Sequence, residues 1–376
     1  MSSTSDLRTR PRRAPARARV AVVVSGWPRL SETFALNELV ALHRAGLLAA
    51  VLATKPGESG LRHPAVAELA PWVTVLRDGT AAQQAAEVAD RVVDLGVTSV
   101  HGYFAHRPAE VAAAAAQLLR VPYGFSVHAL DARKVSPSEL AARAAGASVV
   151  IACNRDAAAT LAAVGASPRL LPHGVDLDTF APTPPPTLSA SDRPVELLAV
   201  GRFVEKKGFA TLLEALRRVH RDVHLGLVGD GPLRSDLVAR ARELRLGSRL
   251  TIEPRLAHDA LPGRYADADV VVVPSVVDWT GDRDGLPNVV LESMASGRPV
   301  IATTVGAIAS GVRDGETGLL VPPRDPDALA AAITELVDRP DLRVAFGLRA
   351  RAIAEEQYDL ATCAATFCEV LGGVHV

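Results

Sequence analysis

The chain has 376 residues, of which 48% are hydrophobic and 4% are aromatic, and its formal net charge is −1. This near-neutral charge provides no electrostatic footprint for nucleic acid, and no apolar run approaches the ~20 residues of a membrane-spanning helix. At roughly 150 residues for each domain, the length predicts about two or three domains. The three cysteines have neither metal-ligand spacing nor a disulfide pattern, which indicates a reducing, cytoplasmic setting.

The first nineteen residues form an arginine-rich tail, with arginines at positions 8, 10, 12, 13, 17 and 19. Because no apolar signal core separates these arginines from the first strand, we do not interpret the tail as a secretory signal. We expect residues 1–19 to be disordered, with a weak contact to anionic lipid head groups as the alternative. The predicted location is therefore the cytoplasm, with at most a peripheral position at the inner membrane face.

Short β-branched runs alternate with amphipathic stretches from residue 20 onward. The run VAVVVS predicts a first strand at 20–25, a helix is predicted over 31–45 with Ser31 as its cap, and a second strand over 48–53. This order predicts parallel strands joined by right-handed crossovers. Further strands are predicted at 73–76, 99–103, 123–127 and 148–152. The strands end in polar loops, as expected of a ligand crevice at strand carboxyl ends.

Residues 181–194, with the sequence APTPPPTLSASDRP, interrupt this alternation. They are rich in Pro and Ser and lack periodicity, which is typical of an interdomain linker. A second series follows, with strands predicted at 196–200, 223–228, 249–252, 270–273, 299–303 and 318–321. We therefore predict an α/β protein with two Rossmann-like parallel-sheet domains, residues 20–180 and 195–350, that face a central cleft.

The stretch from Val270 to Gly297 combines a buried strand, an acidic loop and the start of a helix. The loop aspartates are Asp278, Asp282 and Asp284. The helix is predicted to begin at Pro287, and Glu292 follows Asp284 by eight positions. Backbone N–H groups at a helix start are unpaired donors at the positive end of the helix dipole. The donors predicted here belong to Gly285, Asn288 and Val289. This stretch therefore predicts a site for an anionic, hydroxyl-rich ligand.

Two common nucleotide-binding motifs are missing from the sequence. A dehydrogenase would carry G-x-G-x-x-G after a strand, a phosphate-cradling NTPase would carry G-x-x-x-x-G-K-[ST], and neither occurs. Asp-x-Asp triplets, a metal signature of nucleotide-sugar enzymes with another fold, occur at several places, among them 176/178, 267/269 and 282/284. Repeated occurrence in unrelated places discriminates little, so we predict no bound metal and no cofactor.

Eight segments complete the pattern, and we list them in chain order: SETF (31–34), FSVHALD (125–131), LLPHGVDLDTF (170–180), VGRFVEKKG (200–208), LVGDGP (227–232), VVVPS (271–275), DGLPNVVLESMASGRPVIAT (284–303) and DGETGLLVPPRDPDALA (314–330). In this order they resemble the retaining nucleotide-sugar glycosyltransferases of family 4, which have the two-domain GT-B fold. The resemblance implies that the first domain binds the acceptor and the second the donor nucleotide. It also implies that the C-terminal helix, residues 351–376, packs back on the first domain.

The resemblance assigns roles to the two acidic residues of the central stretch. It implies that Glu292 accepts hydrogen bonds from both ribose hydroxyls of the donor, which suits a carboxylate with four lone-pair sites. It implies that Asp284 faces the hydroxyls of the donor sugar. The family usually has Glu at this position, and Asp is one methylene shorter, so the preferred donor sugar is expected to differ.

Further catalytic and donor-binding roles follow from the same resemblance. Arg202 and Lys207 are expected to hold the donor diphosphate without a metal, because two cations offset the charge that develops on the leaving nucleotide. His128 is expected near the reacting centre of the donor sugar. The remaining donor contacts are expected from Gly285, Leu286, Pro287, Asn288 and Val289, and from Arg255 and Leu256 at the nucleobase.

The acceptor side is predicted in the first domain. The residues predicted to contact the acceptor are Glu32, Thr33, Tyr103 and His106, with Trp27 and His101 as weaker candidates. His173 replaces the Asn that is most common in the family, and we expect it to set the geometry of a hinge and turn. The loop at 306–310 lacks the Glu that the family usually carries there.

These features predict a soluble, metal-independent retaining glycosyltransferase. It would move a sugar from a UDP or GDP sugar to a hydroxyl of a small molecule or lipid-linked glycan, through a front-face displacement in which the leaving phosphate helps to deprotonate the acceptor. Two alternatives stay open at this point. One is a nucleotide-sugar epimerase of the same fold, and the other is a non-catalytic protein that only binds nucleotide sugars.

Overall fold

The computed structural model describes residues 18–29, 32–58, 63–128, 134–183 and 193–374. The predicted tail lies almost entirely outside these ranges, as does most of the predicted linker. Ser31, the predicted cap of the first helix, is also outside them, and that helix begins at Thr33.

The first domain is built on a seven-stranded parallel sheet with the strand order β3-β2-β1-β4-β5-β6-β7. Its strands are β1 (Val20–Trp27), β2 (Leu48–Pro56), β3 (Val73–Val75), β4 (Ser99–Tyr103), β5 (Tyr123–Val127), β6 (Val149–Ala152) and β7 (Arg169–Leu170). Its helices are α1 (Thr33–Arg44), α2 (Val66–Leu69), α3 (Ala81–Val92), α4 (Arg107–Leu119), α5 (Pro137–Gly146) and α6 (Arg155–Ala162).

The second domain repeats this plan with six parallel strands in the order β10-β9-β8-β11-β12-β13. Its strands are β8 (Val195–Val200), β9 (Val223–Val228), β10 (Leu250–Glu253), β11 (Val270–Val273), β12 (Val300–Thr303) and β13 (Gly318–Val321). The helices of this half of the chain are α7 (Phe209–Arg218), α8 (Arg234–Glu243), α9 (Leu261–Asp267), α10 (Asn288–Ala295), α11 (Ile308–Gly311), α12 (Pro326–Asp338), α13 (Pro340–Gln357) and α14 (Leu360–Gly372).

Both sheets are buried on their two faces, which explains the continuous β-branched runs in the sequence. Successive side chains of a strand point to opposite faces. Accordingly, Val270 and Val272 of β11 pack into one core of the second domain, and Val271 and Val273 pack into the other. The predicted α/β fold with two Rossmann-like domains is confirmed. Each sheet reverses its strand order beside its first strand, and such a switch point is where parallel α/β sheets bind ligands.

The chain crosses between the domains at its C-terminal end. Helix α13 packs on the second domain, whereas Phe367 and Leu371 of α14 lie in a core of the first domain. At the crossing, the Leu360 backbone N–H donates to the carbonyl of Val175 over 3.1 Å. Gly174 is required here, since a Cβ at this position would lie 2.4 Å from the Cα of Leu360.

The short elements α2 and α11 were not predicted, because four residues are too few to show a helical period. Among the described residues, no helix has both the length and the apolar character needed to cross a bilayer.

Candidate active site

The loops that follow β8 and β11 meet at the switch point of the second sheet. Gly208 ends the first loop with a φ of +66°, and a Cβ there would lie 1.8 Å from the carbonyl oxygen of Pro274. The Val276 N–H also donates to the carbonyl of Lys206 over 2.8 Å. This close backbone contact brings the lysines of the first loop against the acidic residues of the second.

Asp284 lies at the centre of this contact and is only 7% exposed. Its Oδ2 accepts from Lys207 Nζ at 2.8 Å and from Ser275 Oγ at 2.6 Å, and Lys206 Nζ lies 3.9 Å from Oδ1. Burial alone would raise the pKa of Asp284, but the charges of Lys207 and Lys206 outweigh it and hold the pKa below its usual value. Asp284 is therefore an ionised carboxylate that is already paired with the cation predicted to hold the diphosphate.

Glu292 lies on α10 and is 6% exposed. Its Oε2 accepts a hydrogen bond of 2.6 Å from the hydroxyl of Tyr265. Burial raises the pKa of Glu292 to about 7, although the hydrogen bond from Tyr265 acts in the opposite direction. A carboxyl group with such a pKa is close to half-ionised at neutral pH, so its charge responds to small changes around it.

A pocket of about 170 Å³ opens in front of Glu292. Its lining residues are Thr33, Val200, Gly201, Arg202, Val228, Gly229, Arg255, Leu256, His258, Leu261, Asn288, Val289 and Glu292. The predicted donor residues Arg202, Arg255, Leu256, Asn288, Val289 and Glu292 are thus brought together. Lys207 and Asp284 lie in the neighbouring ion pair instead, and Gly285, Leu286 and Pro287 connect that pair to α10.

The first turn of α10 faces this pocket. Pro287 precedes it and has no side-chain acceptor for the backbone N–H groups that follow. Arg202 is exposed and, among the described residues, takes part in no ion pair. A helix start with unpaired donors beside a free guanidinium is suited to binding an anion.

Contacts between described residues join the two domains across the cleft. Asn288 Nδ2 donates to Thr33 Oγ1 over 2.8 Å, at the start of α1. Arg283 Nη2 donates to Asp156 Oδ1 over 2.7 Å. The rings of His63 and His258 lie 5.1 Å apart. The predicted donor and acceptor sides are therefore in direct contact.

The first domain contributes a cluster of rings that includes His128, which is 8% exposed. The ring centroid of His128 lies 5.0 Å from that of Tyr103 and 5.1 Å from those of Phe34 and His173. Burial first, and then the neighbouring His173, lower the pKa of His128 well below its usual value. His128 is therefore a neutral imidazole, which can donate or accept a hydrogen bond without carrying charge.

Glu38 supports this cluster from α1. It accepts a short hydrogen bond from the hydroxyl of Tyr103, and its Oε1 lies 2.8 Å from Nδ1 of His173. Tyr103 is completely buried, and burial followed by the charge of Glu38 raises its pKa well above 10. Tyr103 was predicted to contact the sugar acceptor, but in this arrangement its hydroxyl is hydrogen-bonded to Glu38 inside the first domain.

The other residues of the predicted acceptor side occupy varied positions. Glu32 pairs with Arg29 at 2.9 Å, and burial raises its pKa despite that cation. His106 Nδ1 accepts from the Arg107 N–H at 2.8 Å and caps α4, and burial lowers its pKa to about 4. His101 lies in the core, where burial lowers its pKa to about 3.

One group of side chains has the chemistry of a metal site. The potential ligand atoms of His128, Cys153 and His173 lie within 4.8 Å of one another. Imidazole and thiolate ligands suit zinc. The absence of a metal from the reaction therefore stays a prediction.

Tyr265, Ser275 and Glu38 were not identified from the sequence. Each acts through a partner that is distant along the chain or on another element, and a single sequence shows no such pairing. Tyr265 lies one helical turn after Leu261 in a short helix, which is the pattern of an ordinary core residue.

Two Rossmann-like domains that face each other across a cleft, with an uncapped helix start at the switch point of the second, define the GT-B class of fold. Residues 194–339 match the family described as Glycosyl transferases group 1. This match covers most of the second domain and agrees with the predicted resemblance.

Two curated relatives are named glycosyltransferases. A GDP-mannose-dependent alpha-(1-6)-phosphatidylinositol monomannoside mannosyltransferase of Mycolicibacterium smegmatis is 34% identical over 54% of this chain and 56% of its own length. An alpha-D-kanosaminyltransferase of Streptomyces kanamyceticus is 34% identical over 45% of this chain and 43% of its own length. The chain thus spans only about half the length of the curated relatives it matches.

The fold extends over nearly the whole chain. The crystal structure of Anabaena HepE in complex with UDP is similar with a TM-score of 0.78 and 20% identity, covering 94% of this chain and 99% of that one. At this level of identity the likeness shows the fold, and the predicted GT-B architecture is confirmed.

Proposed function

We propose that the protein is a retaining glycosyltransferase that moves a sugar from a nucleoside-diphosphate sugar to an acceptor hydroxyl without a metal. The observation that carries the proposal is the pocket at the start of α10. There a buried carboxylate, Glu292, lies beside unpaired helix N–H groups and the guanidinium of Arg202. A nucleoside diphosphate presents a ribose diol and two phosphates, which match these two kinds of group.

The nucleoside would bind on the side of Glu292 that faces Arg255 and Leu256. The ionised carboxylate would accept from the two ribose hydroxyls, and the backbone of the loop after β10 would contact the base. HepE was crystallised with UDP, whereas the mycobacterial relative is GDP-mannose-dependent. Both bases therefore belong in the first ligand screen.

The diphosphate would bind between the start of α10 and the loop after β8. Arg202 is available, and Lys207 is held 2.8 Å from Asp284. A diphosphate carries more charge than one carboxylate, so it can draw the ammonium of Lys207 toward itself and leave Asp284 to hydrogen-bond the donor sugar. The cations would then stabilise the leaving nucleotide without a metal.

The transfer would proceed on one face of the sugar. The bond from the anomeric carbon to the phosphate oxygen breaks, and the bond to the acceptor oxygen forms on the same side. The acceptor proton passes to the leaving phosphate. His128 would stay neutral and hydrogen-bond the sugar, since its low pKa rules out a role as a charged acid near neutral pH.

The acceptor would be a small molecule or a lipid-linked glycan, bound on the first domain beside Glu32 and Thr33. This range is supported by the names of the relatives, one of which acts on a phosphatidylinositol mannoside. We place the reaction in the cytoplasm, with contact to the inner membrane face if the acceptor is a lipid.

The proposal is tested first by thermal shift with UDP, GDP and their hexose conjugates. A ligand that binds only the native state raises the melting temperature, by an amount that grows with ligand concentration. The stabilising donors are then incubated with the protein alone and with candidate acceptors. Acceptor-dependent transfer supports the proposal, an isomerised donor without acceptor would indicate an epimerase, and binding without turnover would indicate a binding protein.

A further inference from the structure

Tyr265 lies outside every segment that points to donor binding, yet its hydroxyl is bonded to the carboxylate in the donor pocket. The hydrogen bond to Glu292 Oε2 is 2.6 Å long, and Tyr265 is completely buried. A hydroxyl group bonded to a carboxylate acts as the donor, because an ionised carboxylate can only accept. The high pKa of Tyr265, which burial raises well above 10, keeps that proton on the phenol.

The orientation of Tyr265 is fixed from several sides. The Arg298 guanidinium, itself 2% exposed, donates to the carbonyl of Tyr265 over 3.0 Å and to that of Ala266 over 2.8 Å. The ring of Phe180 packs edge-on against the Tyr265 ring, with centroids 5.6 Å apart. Neither the backbone nor the ring of Tyr265 can move away, so its hydroxyl is a preorganised donor.

The contact leaves a defined part of Glu292 for a ligand. One lone pair of Oε2 is used by Tyr265, and the remaining lone-pair sites are enough for two hydroxyl groups. We propose that Tyr265 is a positioning residue for donor binding, which holds Glu292 in one rotamer and keeps its carboxylate charged so that it can accept from the ribose diol. This inference rests on the proposed function, since the ribose belongs to the nucleotide donor.

The charge of Glu292 depends on a balance between two opposing effects. Burial disfavours the charged form of Glu292, and a hydrogen bond donated to that form favours it. Because the pKa of Glu292 is about 7, loss of one hydrogen-bond donor is enough to leave the carboxyl group mostly protonated at neutral pH. A protonated carboxyl group would offer the diol fewer acceptor sites and would place its own donor in the pocket.

The test compares Tyr265→Phe with Tyr358→Phe. Tyr358 is also buried in the second domain and also donates its hydroxyl, over 3.2 Å to the carbonyl of Ser310, away from the pocket. Calorimetric titration with UDP and GDP between pH 5.5 and 9 would measure affinity, and Glu292→Gln would give the pH dependence that remains without this carboxyl group.

The wild-type affinity is expected to fall as the pH drops through about 7. For Tyr265→Phe this fall should begin at a pH about one unit higher, the shift that corresponds to losing a hydrogen bond to a charged group. Binding should then be about fivefold weaker than wild type at pH 7 and within about twofold at pH 9. Tyr358→Phe should follow the wild type throughout.

Replacement of Tyr265 by 3-fluorotyrosine keeps the ring and makes the hydroxyl a stronger hydrogen-bond donor. The fall in nucleotide affinity should therefore move to lower pH. This second variant keeps the test available if Tyr265→Phe does not fold. The inference would be overturned if either Tyr265 variant lost affinity at the same pH as the wild type. It would also be overturned if Tyr358→Phe shifted this pH by the same amount as Tyr265→Phe.

A ligand-free measurement separates the inference from the proposed function. The infrared band of the protonated Glu292 carboxyl can be assigned by its loss in Glu292→Gln. As the pH is raised, this band should disappear with a midpoint at higher pH in Tyr265→Phe than in the wild type. If this shift occurs but neither nucleotide binds, the proposed function fails while the control of Glu292 by Tyr265 stands. If nucleotides bind and the midpoint does not move, the positioning role fails alone.

Discussion

Glu292→Gln is expected to stabilise the folded protein above neutral pH while it weakens nucleotide binding. Burial raises the pKa of Glu292 from 4.5 to about 7. Between these pH values the unfolded chain loses a proton that the native state retains, so the native state becomes less stable as the pH rises. The destabilisation is absent below the lower pKa and complete above the higher one.

The size of the effect follows from the pKa difference. A shift from 4.5 to about 7 corresponds to about 3 kcal/mol at about 1.4 kcal/mol for each unit. Glutamine has a similar shape, can still accept from Tyr265 and carries no charge, so Glu292→Gln should recover most of this free energy. For a domain of this size the melting temperature should rise by roughly 6 to 12 °C at pH 8 and hardly change at pH 4.5.

The assay is thermal unfolding of both proteins across this pH range, followed by circular dichroism. Glu243→Gln is the matched control, because Glu243 is an exposed helix residue, 65% exposed in its side chain, and its substitution should change stability by less than about 0.5 kcal/mol. An equal stability difference between Glu292→Gln and wild type at both pH values would show that the titration of Glu292 does not cause the effect, since a titration cannot produce a pH-independent difference.

Two other substitutions test the contacts around the site. Lys207→Met removes the cation 2.8 Å from Asp284, so sugar transfer should fall by about 100-fold or more at saturating donor, as measured by initial rates, and an unchanged rate would remove Lys207 from the proposed diphosphate site. Gly174→Ala places a Cβ 2.4 Å from the Cα of Leu360 and should destabilise the protein by about 1–3 kcal/mol in denaturant unfolding. Gly263→Ala is the control, because a Cβ there meets nothing within 4 Å and should not cause this loss of stability. Equal effects of the two substitutions would contradict the close approach at the crossing.

Much of the architecture was predictable because parallel strands buried on both faces leave a strong local signal. The runs at 20–25 and 270–273 contain enough consecutive β-branched residues to indicate strands without tertiary information. The Pro- and Ser-rich segment at 181–194 separates the two series by composition alone. The polar loops at strand ends then indicated where a ligand would bind, because parallel strands bring their carboxyl ends to one edge.

The pairing of side chains within the site was not predictable in the same way. From the sequence, Lys207 was expected to contact the donor diphosphate and Asp284 the donor sugar. In the ligand-free structure the two side chains instead form an ion pair of 2.8 Å. Their proximity results from the close contact between Gly208 and Pro274, which depends on how two distant loops pack. The partnership of Tyr265 with Glu292 is of the same kind, since it joins two helices on the same side of the second sheet.

The proposed reaction transfers a sugar in the cleft with retention of configuration. The most direct measurement is real-time proton NMR of the first product formed from an α-linked nucleotide sugar, with water as the acceptor if no better one is known. The proposed front-face reaction predicts that the α-anomer appears first and that Glu292→Gln abolishes its formation at donor concentrations that saturate the wild type. A β-anomer as the first product would contradict the proposed mechanism, and full turnover by Glu292→Gln would contradict the assigned site.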